Sequence, residues 1–92
     1  MIKNKYIEKR VISILNEVIQ HEHREVLDGD IPLCYGDEKY IDCAITTKAK
    51  PNDPIDPLQV YTRYINHDYF GDVIVRYIRC SRDTLIMVSV KL

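Results

Sequence analysis

Histidine, cysteine and carboxylate side chains are the groups of this sequence that could bind a metal ion. His21, Glu22 and His23 are adjacent, and Cys34 and Cys43 follow, so the usual ligand types for zinc are present. Their spacing does not suit zinc, because His21 and His23 lie on different sides of a helix and neither His-Glu-x-x-His nor Cys-x-x-Cys occurs. The sequence therefore predicts no metal site and no cofactor.

The same groups form no recognisable catalytic pattern. A cysteine near a histidine and a carboxylate can be activated as a nucleophile, but Cys43 and Cys80 alternate with isoleucines and fit the interior of strands. Cys34 and the pair His67-Asp68 have no catalytic signature around them, and the scattered single glycines form no phosphate-binding loop. We therefore predict a protein that binds and is not an enzyme.

Negative charge is concentrated in one part of the chain. The formal net charge is only −1, yet residues 16–42 contain eight acidic and two basic residues, and the rest is net basic. Such a distribution steers encounters and selects partners. We predict that the carboxylates dock on a basic surface of another protein, with an ordinary solvated surface as the alternative. The predicted partner-binding residues are Glu22, Glu25, Asp28, Asp30, Asp37, Glu38 and Asp42.

A second group mixes basic and aromatic side chains in the C-terminal half. Arginines bind phosphates and tyrosines stack on bases in proteins that bind single-stranded nucleic acid. The basic excess over residues 43–92 is small, and no RRM, KH or helix-turn-helix signature occurs. Nucleic-acid binding is therefore the alternative function, and core packing with cross-strand ion pairs also explains these residues. The predicted contacts are Arg63, Arg76, Tyr77, Arg79 and Arg82.

The length of 92 residues predicts a single domain with one core. Apolar residues at helical spacing predict an amphipathic helix that is capped by Asn4 and either ends near Gln20 or continues with an acidic underside. Three prolines mark a connecting loop at 48–57.

After this loop, Asp56 and Pro57 have the form of a helix N-terminus, and the helical wheel favours a second helix of about ten residues from Leu58. Alternating patterns predict two strands before the loop and two at the end of the chain. The predicted fold is α+β with the order αββαββ, two helices on one face of a four-stranded antiparallel sheet, which resembles a permuted ferredoxin-like order. The predicted strands cover 31–35, 39–47, 72–80 and 84–91.

The last two predicted strands are apolar on both faces, which predicts a second buried surface and favours a homodimer through that surface. The charged N-terminus and the lack of a long apolar run predict a cytoplasmic protein with reduced cysteines and no membrane span. Small size and a bias to isoleucine and tyrosine are typical of accessory proteins of phages and mobile elements, which suggests an inhibitor or modulator of a host protein.

Overall fold

The structure, a computed structural model, describes residues 5–92. Asn4, the predicted helix cap, lies outside these residues. Within 5–92, no helix has both the length and the apolar composition needed to cross a membrane. The described residues form α1 (Lys5–His21), β1 (Leu33–Gly36), β2 (Tyr40–Lys48), β3 (Val60–His67), β4 (Gly71–Cys80) and β5 (Asp83–Lys91).

All five strands form one antiparallel sheet in the order β1-β2-β5-β4-β3. The predicted αββαββ arrangement is wrong, because the second predicted helix is β3 and the described residues contain one helix. β3 forms a hairpin with β4, in which Tyr64 is opposite Ile74. The fold is therefore α+β, with a single helix on a five-stranded sheet.

The residues around the start of β3 explain this difference. The Asp56 carboxylate accepts a hydrogen bond from the Leu58 N–H at 2.8 Å, and the Asp56 carbonyl accepts one from the Gln59 N–H at 2.9 Å. The predicted helix start is therefore a single turn. The β-branched and aromatic residues that follow favour an extended chain, and β3 adds to the edge of the sheet instead of continuing the turn.

α1 packs across β2 and β5 and covers one face of the sheet. The apolar stripe predicted on this helix packs into the core, as does the face of β2 that carries Ile41, Cys43 and Ile45. The buried apolar side chains are Val11, Ile14, Leu15, Val18, Ile19, Ile41, Cys43, Ile45, Val73, Val75, Tyr77, Ile86, Val88 and Val90.

The opposite face of the sheet, which we call the open face, is not covered by a helix or strand of residues 5–92. The sequence correctly predicts that β4 and β5 present apolar side chains there as well as to the core, and these are partly exposed. The outer strands add side chains that are more exposed. The apolar and aromatic side chains of the open face are Leu33, Tyr35, Tyr40, Ala44, Val60, Tyr64, Ile74, Ile78, Leu85 and Met87.

Cys34 and Cys43 form a disulfide between β1 and β2. The two residues are directly opposite in the ladder, with Cα atoms 4.2 Å apart, and Cys43 is fully buried. The predicted reduced state is wrong for this pair, because cysteine count and N-terminal composition do not report strand register. Cys80, which was predicted to lie inside, is exposed and free.

Gly36 ends β1 where the chain passes close to the next strand. A Cβ atom at this position would lie 2.6 Å from the Tyr40 carbonyl oxygen and 3.0 Å from Ile41 Cγ1. Gly36→Ala should therefore lower the free energy of unfolding by about 1 to 3 kcal/mol, because the backbone must shift to relieve the overlap. Urea unfolding measures this loss.

Gly29→Asn is the matched control for this prediction. Gly29 has a φ of 76° and no atom within 4 Å of the added Cβ, and asparagine tolerates this conformation better than most residues. A loss in the Gly36 variant no larger than that in the control would contradict the steric explanation.

Candidate functional site

The end of α1 positions charged side chains at the margin of the core. The Arg24 N–H donates to the Ile19 carbonyl at 2.9 Å and the His23 N–H donates to the Gln20 carbonyl at 3.1 Å, so the helix ends in a Schellman motif. His23 has a φ of 54°, the left-handed conformation that this ending requires. The chain reverses direction there, and Glu22 and Arg24 both reach β4.

Glu22 accepts hydrogen bonds from three side chains. Arg24 Nε lies 2.8 Å from Oε1, Arg63 on β3 donates to Oε2 at 2.9 Å, and the Tyr77 hydroxyl on β4 also donates to Oε2. Arg63 Nε donates in turn to the Tyr77 oxygen at 2.9 Å. The Lys50 ammonium donates to the Glu22 carbonyl. Glu22 therefore connects the end of α1, the β3–β4 hairpin and the loop between β2 and β3, which we call the proline-rich loop.

Arg24 also forms a bidentate ion pair with Asp53 of the proline-rich loop, and one of its N–O distances is 2.8 Å. Both side chains are only 4% exposed. Asp53 further accepts hydrogen bonds from the Thr84 hydroxyl at 2.6 Å and from the Lys50 N–H at 2.9 Å. A loop without regular structure is thereby fixed against β5. We call Glu22, Arg24, Asp53, Arg63 and Tyr77 the buried cluster.

The buried cluster holds its carboxylates in the ionised form. Burial raises the pKa of Asp53, but hydrogen bonds from Arg24 and Thr84 outweigh it and place this pKa well below its ordinary value. The same balance lowers the pKa of Glu22, where bonds from Tyr77 and Arg24 outweigh burial. Burial and the bond to Glu22 raise the pKa of Tyr77. None of these groups is suited to proton transfer near neutral pH.

A hollow of about 210 Å³ opens beside the buried cluster and is also lined by Asn52, Pro54 and Tyr61. The charges of the cluster are paired with one another, so they present little unpaired charge to a ligand. No group of three histidine, cysteine, aspartate or glutamate residues within 5–92 is arranged to hold a metal ion. The cluster attaches the loop to the sheet.

A second hollow, of about 310 Å³, lies on the open face. We call it the open-face hollow. Its lining includes the aromatic rings of two tyrosines, two carboxylates and one guanidinium. These side chains belong to Tyr35, Tyr40, Asp37, Asp42 and Arg76, with Gly36, Ile74 and Ser89 completing the lining.

The charged groups of the open-face hollow are not paired with one another. Arg76 donates to the Ser89 hydroxyl at 3.1 Å, and no ion pair of the described residues joins it to a carboxylate. Asp37 accepts hydrogen bonds from the Lys39 and Tyr40 N–H groups, which lower its pKa. Asp42 remains available to a cation from outside.

The structure separates the predicted acidic residues into distinct groups. Glu22 belongs to the buried cluster and is neutralised there. Glu25 forms an exposed ion pair with Lys48 at 3.1 Å, and Asp30 accepts a hydrogen bond from the Thr46 N–H at 2.9 Å. Asp28 lies in the same connection between α1 and β1 and is exposed. This group therefore lies beside the C-terminal end of β2.

The other predicted acidic residues lie at the opposite end of β2. Asp37 and Glu38 are in the turn between β1 and β2, and Asp42 is on the open face. Thr46 follows Tyr40 by six positions along an extended strand, a distance of about 20 Å. The carboxylates therefore do not form one continuous patch, and Asp37 and Asp42 are the two that share a hollow.

The predicted nucleic-acid contacts are also divided. Arg63 and Tyr77 belong to the buried cluster on the helix side of the sheet, whereas Arg76 lies on the open face. Arg79 donates to two backbone carbonyls, and Arg82 is in the turn between β4 and β5. These five side chains do not form one surface.

Sequence reasoning did not identify the Arg24–Asp53 pair or the contribution of Tyr35 and Tyr40. The available signal was the acidic underside predicted for a continued α1, which comes from Glu22 and Glu25 and placed carboxylates toward the core. Comparison with known proteins gives no function, because no protein family, curated protein or solved structure matches the chain.

Proposed function

We propose that this protein is a small protein-binding module without enzymatic activity, and that the open-face hollow receives a basic side chain of the partner. The observation that supports this is the meeting of two exposed tyrosine rings with two carboxylates in one hollow. Tyr35 is 73% exposed and Tyr40 is 48% exposed, so neither ring is needed for the core. The two carboxylates outnumber the Arg76 guanidinium, so the lining is net negative, and exposed rings beside carboxylates suit a lysine or arginine side chain.

The interactions in the hollow are individually weak. A cation over an exposed aromatic ring contributes about 0.5 to 1 kcal/mol, and an exposed ion pair contributes about 0.2 to 1 kcal/mol. The apolar side chains of the open face, such as Leu33 and Met87, supply further surface for a protein partner. We therefore assign orientation and selectivity to the hollow and most of the binding area to the surrounding face.

A module of this kind acts by covering a basic surface of another protein, as an inhibitor or modulator of that protein. Asp37 and Asp42 are the acidic residues that this proposal uses, and Glu22 is excluded because Arg24 and Arg63 neutralise it. The accessory role in a phage or mobile element is part of the proposal from sequence, whereas the Cys34–Cys43 disulfide argues against the cytoplasmic location that the sequence predicts.

A titration with short peptides tests the proposal. We expect a capped Gly-Arg-Gly peptide to shift the backbone amide signals of Tyr35, Tyr40 and Asp42 in a two-dimensional NMR spectrum, and a capped Gly-Glu-Gly peptide to leave them in place. Asp42→Asn should weaken binding of the arginine peptide by about 1.4- to fivefold, the range expected for one exposed ion pair. Asp68→Asn, in the turn between β3 and β4, is the charge-matched control.

Equal shifts with the two peptides, or shifts confined to residues outside the open face, would contradict the assignment of this hollow to a basic side chain. Equal weakening by Asp42→Asn and Asp68→Asn would reduce the effect to net charge and contradict it as well.

A further inference from the structure

The outer edge of β3 has no partner strand within the described residues. β3 pairs with β4 on one side, and no backbone hydrogen bond outside the ladders reaches it. The other edge of the sheet is better protected, since β1 has only four residues and Val26 pairs with Thr47 beyond it. The eight residues of β3 are therefore the longest unpaired edge.

β3 also lacks most of the features by which edge strands usually avoid association. It contains no proline, glycine or lysine, and the charge of its arginine, Arg63, is paired with Glu22. Several of the most exposed apolar side chains of the molecule lie on β3 or in the loop before it. These are Ile55, Leu58, Val60, Tyr61 and Tyr64.

We propose that β3 pairs antiparallel with β3 of a second copy of this chain, around a twofold axis normal to the sheet beside Tyr64. The two sheets then form one continuous sheet, and the unpaired edges are both satisfied. This inference does not depend on the proposed function.

Antiparallel geometry restricts the register of this pairing. Directly opposite residues share a face of the sheet, so the twofold axis must pass between a residue and its own copy. The longest pairings within β3 are centred on Arg63 or on Tyr64. Centring on Arg63 would oppose two guanidinium groups, which is unfavourable. Centring on Tyr64 places Arg63 opposite Ile65 of the second copy, and Tyr61 opposite His67 of the second copy.

The surroundings of β3 favour a second copy as the occupant. In an antiparallel pair, the loop that carries Ile55 and Leu58 in one copy lies beside the β3–β4 turn of the other. That turn carries Tyr69, which is 58% exposed, and Phe70. The twofold axis repeats this apolar contact at both ends of the paired strands. The same residues of each copy therefore form both contacts. An unrelated extended segment would satisfy the backbone groups but would not explain this match.

The pairing also affects how binding surfaces are presented. A twofold axis normal to the sheet keeps both open faces on the same side, so the dimer presents two open-face hollows in one direction. Two linked sites on one partner or assembly bind with increased avidity when the geometry allows both to be occupied.

Size-exclusion chromatography with light scattering, run on a dilution series at micromolar protein concentrations, tests the pairing. We expect the full chain to have twice its 10.8 kDa mass, and Tyr64→Asp and Tyr64→Lys to halve the observed mass, because each opposes like charges across the axis. An equimolar mixture of the two variants should restore the dimer. Leu33→Glu, at the other edge of the open face, is the control that should leave the mass unchanged.

Circular dichroism establishes that the Tyr64 variants fold, which is expected because this side chain is 68% exposed. A monomeric wild-type chain, or a dimer that persists in both Tyr64 variants, would overturn the inference. Loss of the dimer in Leu33→Glu alone would overturn it in favour of pairing through the open face. Failure of the mixture to restore the dimer would overturn the register at Tyr64. The peptide shifts at Tyr35 are independent of these outcomes.

Discussion

Replacing Asp53 by alanine should lower the free energy of unfolding by about 3 to 5 kcal/mol. The Arg24 side chain is 4% exposed and would keep its positive charge after losing both bonds of the bidentate pair. Glu22 would still accept one bond from Arg24 Nε. The Thr84 hydroxyl, which is buried, would lose its acceptor as well. A buried charge without its partner costs more than the intact pair contributes, so the loss should exceed that of an ordinary surface change.

Urea unfolding of the full chain measures this loss, and an exposed ion pair of the same protein provides the control. Glu25 and Lys48 lie 3.1 Å apart with side chains 69% and 62% exposed. Glu25→Ala should therefore change the free energy of unfolding by no more than about 1 kcal/mol. The paired replacement Arg24→Met with Asp53→Leu should recover much of the stability, because it removes both charges together. A loss of less than 1 kcal/mol in Asp53→Ala would show that the loop is held by other contacts.

The sequence predicted the elements that bury one face against the core. On α1, the apolar residues at helical spacing are those that pack on the sheet, and on β2 the alternation of Ile41, Cys43 and Ile45 matches their burial. β4 and β5 were predicted within one residue at each end. On α1 and β2 a single buried face imposes a period on the sequence, and that period can be read without knowing the partner element. β4 and β5 are apolar on both faces, and their β-branched residues indicate strands instead.

The sequence did not predict β3, and the reason is its position in the sheet. Val60, Tyr61 and Thr62 are all exposed, so burial imposes no alternation on the first part of this strand. The cap-like Asp56 and Pro57 and the helical wheel then favoured a helix. The pairing of β3 with β4 is what makes this segment a strand. Such a pairing joins two segments of the chain, and the sequence of either segment alone does not reveal it. The fold class depended on this one element.

The candidate sites depend on strand register in the same way. Cys34 and Cys43 meet because they are opposite in the β1–β2 ladder, and Tyr35 and Asp42 are neighbours for the same reason. The Arg24–Asp53 pair joins residues 29 positions apart through a loop of no regular structure. Residue types indicated the available chemistry, but only the register showed which groups meet. The acidic stretch of the sequence therefore divides into groups that lie in different parts of the molecule and make different contacts.

Acid should destabilise this protein steeply below the ordinary carboxyl pKa of about 4. Asp53 and Glu22 have lowered pKa values in the folded chain, so between their folded and ordinary values the unfolded chain binds more protons. Above pH 5 both states are ionised at these residues and their contribution to stability is constant. As the pH falls below 4, each carboxylate should remove about 1.4 kcal/mol per pH unit until its folded pKa is reached. The urea concentration at the midpoint of unfolding, measured from pH 7 to pH 2, reports this loss of stability.

Asp53→Asn isolates the contribution of one carboxylate to the acid dependence. This variant keeps a side chain of the same size, which can still accept a hydrogen bond from the Thr84 hydroxyl, but it cannot be protonated in this range. We expect Asp53→Asn to be less stable than the wild type at pH 7. Below pH 4 its free energy of unfolding should fall less steeply with decreasing pH, because one carboxylate no longer contributes to the fall. Because Asp53 is the more buried of the two carboxylates, with 4% of its side chain exposed against 20% for Glu22, its removal should flatten the curve more than Glu22→Gln does. An unchanged slope in Asp53→Asn would mean that this carboxylate is not held ionised by Arg24.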